Sequence, residues 1–395
     1  MEIFFWISLG LVFYTFLGYG MVLYLLLHLL RIFRKSGRSL SAPVELPTLT
    51  LVVAAYNEAD IIAEKVRNTC SLQYPAEKLR VVFMTDGSTD GTPELISQMS
   101  QRDLLGIEVM HEDARRGKIH AIHRAMEAIE SEVVVFTDAN TFLNEEALLT
   151  LARHYADPSV GAVSGEKRVQ APDQADATAG EGLYWKYEST LKRWDSELFT
   201  VVGAAGELFS IRTALYQPVP SNAILDDFMI SMQIAQKGYR IIYEPEAYAV
   251  EWGSENIHEE LKRKIRIAAG GIQSIIWLKA LLNPFKYPLL SFQYISHRVL
   301  RWTLTPLLLP VILLLNILIV AQPHAAPIYN LALLAQGVFY GLALLGWVME
   351  NRKVRLKALF VPYYFCMMNV AVLAGIYRFA KGKQSAIWEK SVRKS

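Results

Sequence analysis

From Ile3 to Leu30 the chain carries no charged side chain unless His28 is protonated, and no other feature limits its fold as much. A helix needs ~20 apolar residues to cross ~30 Å of hydrocarbon, and this run exceeds that length. It is too long for a signal peptide and lacks both a basic leading segment and a small-residue cleavage site. The run is therefore expected to be a retained anchor, residues 1–38. Arg31, Arg34, Lys35 and Arg38 follow directly. Basic residues favour the cytoplasmic side, which puts this end inside and the N-terminus outside.

The rest of the chain is of a different kind. Over 395 residues, 52% are hydrophobic and 20% charged, with a mean hydropathy of +0.22. That balance is too apolar for a soluble enzyme and too charged for a pure transporter, so membrane spans must alternate with a water-facing domain. Cys70 and Cys366 lie far apart, which implies neither a disulfide framework nor a zinc site and suits a reducing compartment. A net charge of +2 without a basic stripe gives no sign of nucleic acid as a partner.

A linker with two prolines, residues 39–47, leads into a stretch from 48 to 255 with the composition of a soluble α/β domain. TLTLVVAAYNE, LRVVFMTDGSTD, IEVMHED and EVVVFTDAN are apolar runs of strand length, each ending in polar residues. Between them, Asp60–Leu72, Thr92–Gln101 and Gly117–Ile129 have helical patterns. Alternating strands and helices predict βαβ units in a mostly parallel sheet, with ligands bound at the C-terminal strand ends. Residues 256–290 mix cations with apolar residues at helical spacing, as in a helix lying in the membrane interface. Residues 298–378 form the C-terminal membrane region. Within it Trp302–Met349 gives two spans broken at 321–327, residues 350–357 a basic loop, and Ala358–Tyr377 a third apolar run. Pro362 in that run permits a broken or re-entrant helix. Lys286, His297 and Arg298 argue against a passage within Pro284–Leu300, and the basic tail 379–395 is expected to be cytoplasmic.

Several strand ends carry chemistry. Ala54-Ala55-Tyr56-Asn57-Glu58 closes the first strand. Thr85-Asp86-Gly87 closes the second, where Ser88, Thr89 and Asp90 also suit a helix N-cap. Arg115-Arg116-Gly117-Lys118 is a cationic cluster suited to a diphosphate, or else a solvated basic turn. Asp138-Ala139-Asn140 delivers a carboxylate and a carboxamide from an uncharged strand, as a Mg²⁺ or Mn²⁺ ion shared with phosphates requires. Asp226-Asp227 serves equally as a base or as a dipole-stabilised helix start.

The order AAYNE, TDGSTDGT, RRGK, FTDANT, GAAGELFSIR (203–212) and LDDF (225–228) resembles the membrane-embedded family 2 glycosyltransferases of GT-A fold. These include synthases of hyaluronan, chitin-like and poly-N-acetylglucosamine polymers. The resemblance covers residues 50–270. It implies nucleotide binding by Ala55, Tyr56, Glu58, Asp86, Arg116, Lys118 and Asp138, and a Mg²⁺ or Mn²⁺ ion on Asp138 and Asn140. It implies an acceptor site at Gly203, Ala204, Gly206 and Glu207, a catalytic pair Asp226 and Asp227 with Asp227 as base, and Arg263 and Arg266 facing the diphosphate. Two positions depart from the pattern. Asn140 stands where the family has a second Asp. Arg263-Lys264-Ile265-Arg266-Ile267 replaces the Gln-x-x-Arg-Trp of processive synthases, so Ile267 lacks the tryptophan that stacks on the acceptor sugar.

The expected activity is inverting, metal-assisted transfer from a UDP-sugar to a growing glycan or lipid-linked acceptor. It would occur at the cytoplasmic face of a multi-pass inner-membrane protein. Alternatives are a single addition onto a polyprenyl phosphate or glycolipid, a non-catalytic nucleotide sensor, or a transporter. The scarcity of charges inside the apolar runs speaks against the last.

Overall fold

A computed structural model describes residues 1–33, 45–100, 106–170, 178–252, 257–351 and 357–385. The basic cluster Arg34, Lys35 and Arg38, most of the linker, most of the 350–357 loop and the basic tail from residue 386 on lie outside the described residues. The chain divides into two compact units. One takes in the described residues within Met1–Leu29, Ala171–Leu191 and Asn256–Gln384, the other those within Leu30–Gln170, Lys192–Glu255 and Ser385–Ser395.

The second unit is built on an eight-stranded sheet. Its strands in chain order are β1 (Leu49–Ala55), β2 (Leu79–Asp86), β3 (Glu108–Glu112), β4 (Val133–Asp138), β5 (Thr141–Leu143), β6 (Val160–Gln170), β7 (Leu208–Arg212) and β8 (Arg240–Trp252). Across the sheet they run β3-β2-β1-β4-β7-β6-β8-β5. The four strands anticipated from apolar runs form the parallel half. β1, β2 and β4 are buried on both faces and read as near-continuous apolar runs, as in Leu51, Val52, Val53, Val81, Val82, Phe83, Val133, Val134 and Val135, whereas β3 at the sheet edge is at most half-buried. Their flanking helices are Ile62–Cys70, Thr92–Ser100 and Lys118–Glu127, within two residues of the expected spans wherever the structure describes them.

The sheet is mostly parallel, as expected, and beyond β4 it becomes mixed. β7 runs antiparallel to both β4 and β6, β8 is parallel to β6, and β5 closes antiparallel on β8. The reversal matters for the site. Pairing Thr137 with Leu208 brings the loop before β7 alongside the tip of β4.

The first unit is helical. The helix from Glu2 runs to Phe33 through a π turn at Tyr14–Gly18. Glu2–Ile32, Pro327–Glu350 and Leu359–Ala380 are each long and apolar enough to cross a membrane, in line with three of the four expected spans. A fourth candidate is a bent pair, Pro288–Trp302 with Leu304–Val320, joined at 55°. Its second half is the remaining expected span, and its first half covers the stretch where charged residues argue against a passage. Of those residues, His297 and Arg298 each lie 3.1 Å from Glu188 within the unit, beside Arg301 at 2.8 Å. The helix Lys357–Ala380 runs unbroken through Pro362. As its sixth residue, Pro362 forfeits one helical bond, to the carbonyl of residue 358. The interfacial stretch forms the helix Ile257–Trp277. It packs closely on Lys357–Ala380, since a Cβ on Gly375 would lie 2.6 Å from that of Ala268. Small residues permit such approach between helices in lipid.

Candidate active site

The C-terminal ends of the parallel strands open onto a cleft of about 550 Å³. Ala54, Ala55, Tyr56 and Glu58 line it from β1, Met84 and Asp86 from β2, and Asp138, Ala139 and Asn140 from β4, with Arg115, Gly117, Lys118 and Ala121 closing one wall. The register forces this convergence, because Ala54 lies opposite Asp138 and Ala55 opposite Thr85.

The loops are held by hydrogen bonds between neighbouring strand ends. Asn57, with φ +52°, accepts from Thr89 N at 2.8 Å, and its own N–H donates to Ser88 Oγ at 3.2 Å. Asp90 accepts from Ala59 N at 3.0 Å and from Thr92 N and Oγ1 at 3.1 and 2.5 Å. Of Ser88–Asp90, Asp90 reaches the start of the helix Thr92–Ser100, while Ser88 and Thr89 bind Asn57 and so stitch one loop to the next. Gly87, with φ +67°, passes so near Arg115 that a Cβ would come within 2.8 Å of its Cα.

Asp86 is less available than the sequence suggested. Its carboxylate accepts from Gly117 N at 2.6 Å and Arg116 N at 3.1 Å, so it shapes the cationic loop. Arg115 stacks over Tyr56 at 3.8 Å from the ring centre at the mouth of the cleft. Arg116, predicted to bind nucleotide, pairs with Glu112 at 2.9 Å and is mostly exposed, with 60% of its side chain accessible.

Lys118 stands in the middle of the charged group. Its Nζ donates to Asp138 Oδ1 at 2.7 Å and lies 3.9 Å from Asp226 Oδ2. Burial would lower its pKa, but Asp138, Asp226 and Asp227 outweigh burial and hold the ammonium charged. Asp226 and Asp227 open the helix Asp226–Gln236. Burial first, and then the charge of Asp226, push the Asp227 carboxyl up to about 7 against the pull of Lys118.

The loop 203–207 lies against that helix start. Gly203, φ +85°, would place a Cβ 2.2 Å from the Phe228 ring, and Ala204 N donates to Ser231 Oγ at 3.0 Å. A Cβ on Gly206 would sit 2.9 Å from Asp227 Oδ2, so glycine keeps open the space beside that oxygen. Glu207 is tied back: Lys167 Nζ donates to its Oε1 at 2.5 Å and to Glu251 Oε2 at 2.6 Å. The structure thus gathers Ala55, Tyr56, Glu58, Asp86, Lys118, Asp138 and Asn140 around the cleft, and sets Asp227 against Gly206 and Asp226 beside Lys118. Arg263 and Arg266 belong to the helical unit, on Ile257–Trp277, where Arg263 lies 3.4 Å from Glu260.

A divalent cation fits the donors present. Asn140 is 6% exposed, and its Oδ1 is buried without a hydrogen-bond partner. Such an orphaned acceptor is costly unless a ligand satisfies it. Asp138 supplies a carboxylate two residues away. No three His, Cys, Asp or Glu side chains among the described residues converge as a metal cage, so a cation here needs oxygens from a bound phosphate as well.

Sequence reasoning missed two threonines and two lysines. Thr137 Oγ1 donates to Glu207 O at 2.9 Å, Thr141 Oγ1 to Asp138 O at 2.9 Å, and the two hydroxyls are 2.9 Å apart. Lys65 Nζ donates to Thr141 O at 2.5 Å. Lys167 was passed over because β6 was not anticipated.

Comparison with known proteins agrees with this geometry. Residues 50–217 match the model of glycosyl transferase family 2. The poly-beta-1,6-N-acetyl-D-glucosamine synthase of Staphylococcus aureus (strain MSSA476) is 26% identical over 241 residues, 59% of this chain and 56% of that protein. Its Staphylococcus epidermidis counterpart is 23% identical over 256 residues, 63% of this chain and 61% of that protein. The chain thus spans little more than half the length of these relatives. The mannosyltransferase PcManGT from Pyrobaculum calidifontis, solved with GDP-Man and Mn2+, superposes with a TM-score of 0.71 at 26% identity, covering 96% of this chain and 100% of that one. The motif order, the strand-end cleft and these likenesses agree: the chain carries a glycosyltransferase family 2 domain on a GT-A fold.

Proposed function

We propose that this domain transfers a glycosyl group, with inversion, from a nucleoside-diphosphate sugar to an acceptor hydroxyl. The observation that carries this reading is the meeting of two oxygen sets around Lys118: Asp138 and Asn140 on one side, Asp226 and Asp227 on the other. Asp138 and Asn140 would hold Mg²⁺ or Mn²⁺ together with diphosphate oxygens. When bound, that cation offsets the charge that builds on the leaving nucleotide. Lys118 adds a second positive charge, on a loop that Asp86 holds through the Arg116 and Gly117 amides. Asp227 takes the proton of the attacking hydroxyl, for which its raised pKa suits it near neutral pH. The open space at Gly206 admits that hydroxyl beside Asp227 Oδ2. No protein nucleophile is required.

The donor is a UDP-sugar by the sequence resemblance. The neighbour that spans nearly all of this chain holds GDP-Man, which favours a guanosine donor as the second reading. Ile267 in place of a stacking tryptophan favours single addition to a lipid-linked acceptor over processive synthesis. The helical unit would anchor the domain at the inner membrane with the cleft on the cytoplasmic side. Purified protein in detergent, offered UDP-GlcNAc, UDP-glucose and GDP-mannose with Mn²⁺, is expected to release nucleotide from one of them. Release from none, in protein that still binds nucleotide, would leave a sensor rather than an enzyme. Product length on a gel separates single addition from polymerisation.

A further inference from the structure

The turn that presents Asp138 and Asn140 is supported from beneath by a residue that belongs to no motif. Lys65 sits on the helix Ile62–Cys70, whose buried face also carries Ile62, Val66 and Thr69. Its side chain has no solvent exposure, and its Nζ donates to the carbonyl of Thr141 at 2.5 Å. Among the described residues no carboxylate comes within ion-pair distance of it. An ammonium with three donors and one neutral acceptor is expensive to bury, and a Met or Leu would fill the same volume. Burial pushes Lys65 down to about 7, while the charge of Asp138 opposes that shift, so the two groups feel each other.

The same helix grips the strand that follows the turn. Asn68 donates to Leu143 O at 2.8 Å and accepts from Leu143 N at 2.9 Å. Thr141 Oγ1 then closes the turn onto Asp138 O.

We infer that Lys65 is a positioning residue for the divalent cation: it holds the Thr141 carbonyl, and through the Asp138–Thr141 turn it sets where the Asp138 carboxylate and the Asn140 amide oxygen are aimed. The inference rests on the cation reading above. Groups that orient metal ligands from behind change metal affinity by roughly 10–100-fold when removed.

The test uses the full chain in detergent, with Lys65→Met and Lys65→Gln. Affinity for GDP and for UDP is measured by calorimetry with EDTA and again with Mn²⁺, alongside thermal unfolding in EDTA. Both variants are expected to keep the EDTA affinity. The gain brought by Mn²⁺ should fall by roughly 10–100-fold in Lys65→Met and by less in Lys65→Gln, which retains a neutral donor. A folded variant with an undiminished Mn²⁺ gain would reduce Lys65 to core filling and overturn the inference. If Lys65→Met does not fold, the same comparison made with Lys65→Gln decides between the two roles. If the unaltered protein shows no Mn²⁺ gain, the cation reading itself fails, and Lys65 loses its role with it.

Discussion

Two lysines in the catalytic unit each face two carboxylates, and they have settled differently. Lys167 has 5% of its side chain exposed and lies 2.5 and 2.6 Å from Glu207 and Glu251. Lys118 has 26% exposed, lies 2.7 Å from Asp138 and reaches Asp226 only at 3.9 Å. The first cluster is closed, with every strong contact already made. The second is loose, open to the cleft, and leaves Asn140 Oδ1 and Asp226 Oδ2 without hydrogen bonds. Similar charges thus make a brace in one place and a receptive site in the other, and the difference lies in how much of each charge is already neutralised.

The largest expected effect falls on the open cluster. Asp227→Asn keeps the shape but cannot take the proton, so turnover should drop by ~10²–10⁴-fold with nucleotide affinity nearly unchanged. Near-normal turnover would remove Asp227 as base. The closed cluster should answer in stability instead. Lys167→Met takes away the buried cation that two carboxylates share and is expected to cost about 3–5 kcal/mol, read by denaturant unfolding, whereas Lys118→Met should weaken nucleotide binding and cost little stability. Reversed results would erase the distinction between brace and site. Next in size, Asp138→Ala should lower nucleotide affinity by about tenfold or more with Mg²⁺ or Mn²⁺ present and hardly at all in EDTA, and chelation should abolish transfer. An equal loss under both conditions would make Asp138 structural.

Acidity gives a smaller, graded effect. As the proposed base, Asp227 would work only when deprotonated, and burial together with the charge of Asp226 pushes its carboxyl up to about 7. As pH falls below that value kcat/KM should decline, approaching tenfold per unit, and it should level off above it. The limb should vanish in Asp227→Asn. Smallest of all, Asn140→Asp should tighten Mn²⁺ binding a few-fold by adding a formal charge beside the cation. No change in cation affinity would place residue 140 outside the metal's reach.

The readable parts of this domain are those set by contiguous residues. Each parallel strand is an uninterrupted apolar run with its polar tip attached, so VVVFTDAN holds both the strand and the candidate ligands in one phrase. The mixed half is less legible because β8 alternates in burial and the β6–β8 pairing breaks at a bulge near Gly165, so neither strand stands out as a single apolar run. Glu207 falls at the acceptor loop by its motif, yet its partner lies forty residues upstream in a strand that periodicity does not reveal. The loop around Asp86 looks like a ligand cradle, which points its carboxylate at a nucleoside. Two backbone amides thirty residues on take that carboxylate instead, a pairing only the fold creates. Lys65 does leave a trace. Ile62, Lys65, Val66 and Thr69 share one helical face, and a lysine on an apolar face is the misfit that marks a buried polar duty.

The hydroxyls of Thr137 and Thr141 share three short contacts, yet each carries one hydrogen. Two protons cannot serve three contacts, so one contact always lacks its proton. When both hydroxyls donate to carbonyls, the turn at Asp138 and the loop at Glu207 are held together, and the two oxygens meet with no proton between them. When either hydroxyl turns toward the other, one of those carbonyls loses its donor. A single pair of hydroxyls thus joins the strand tip that carries Asp138 to the loop that carries Glu207.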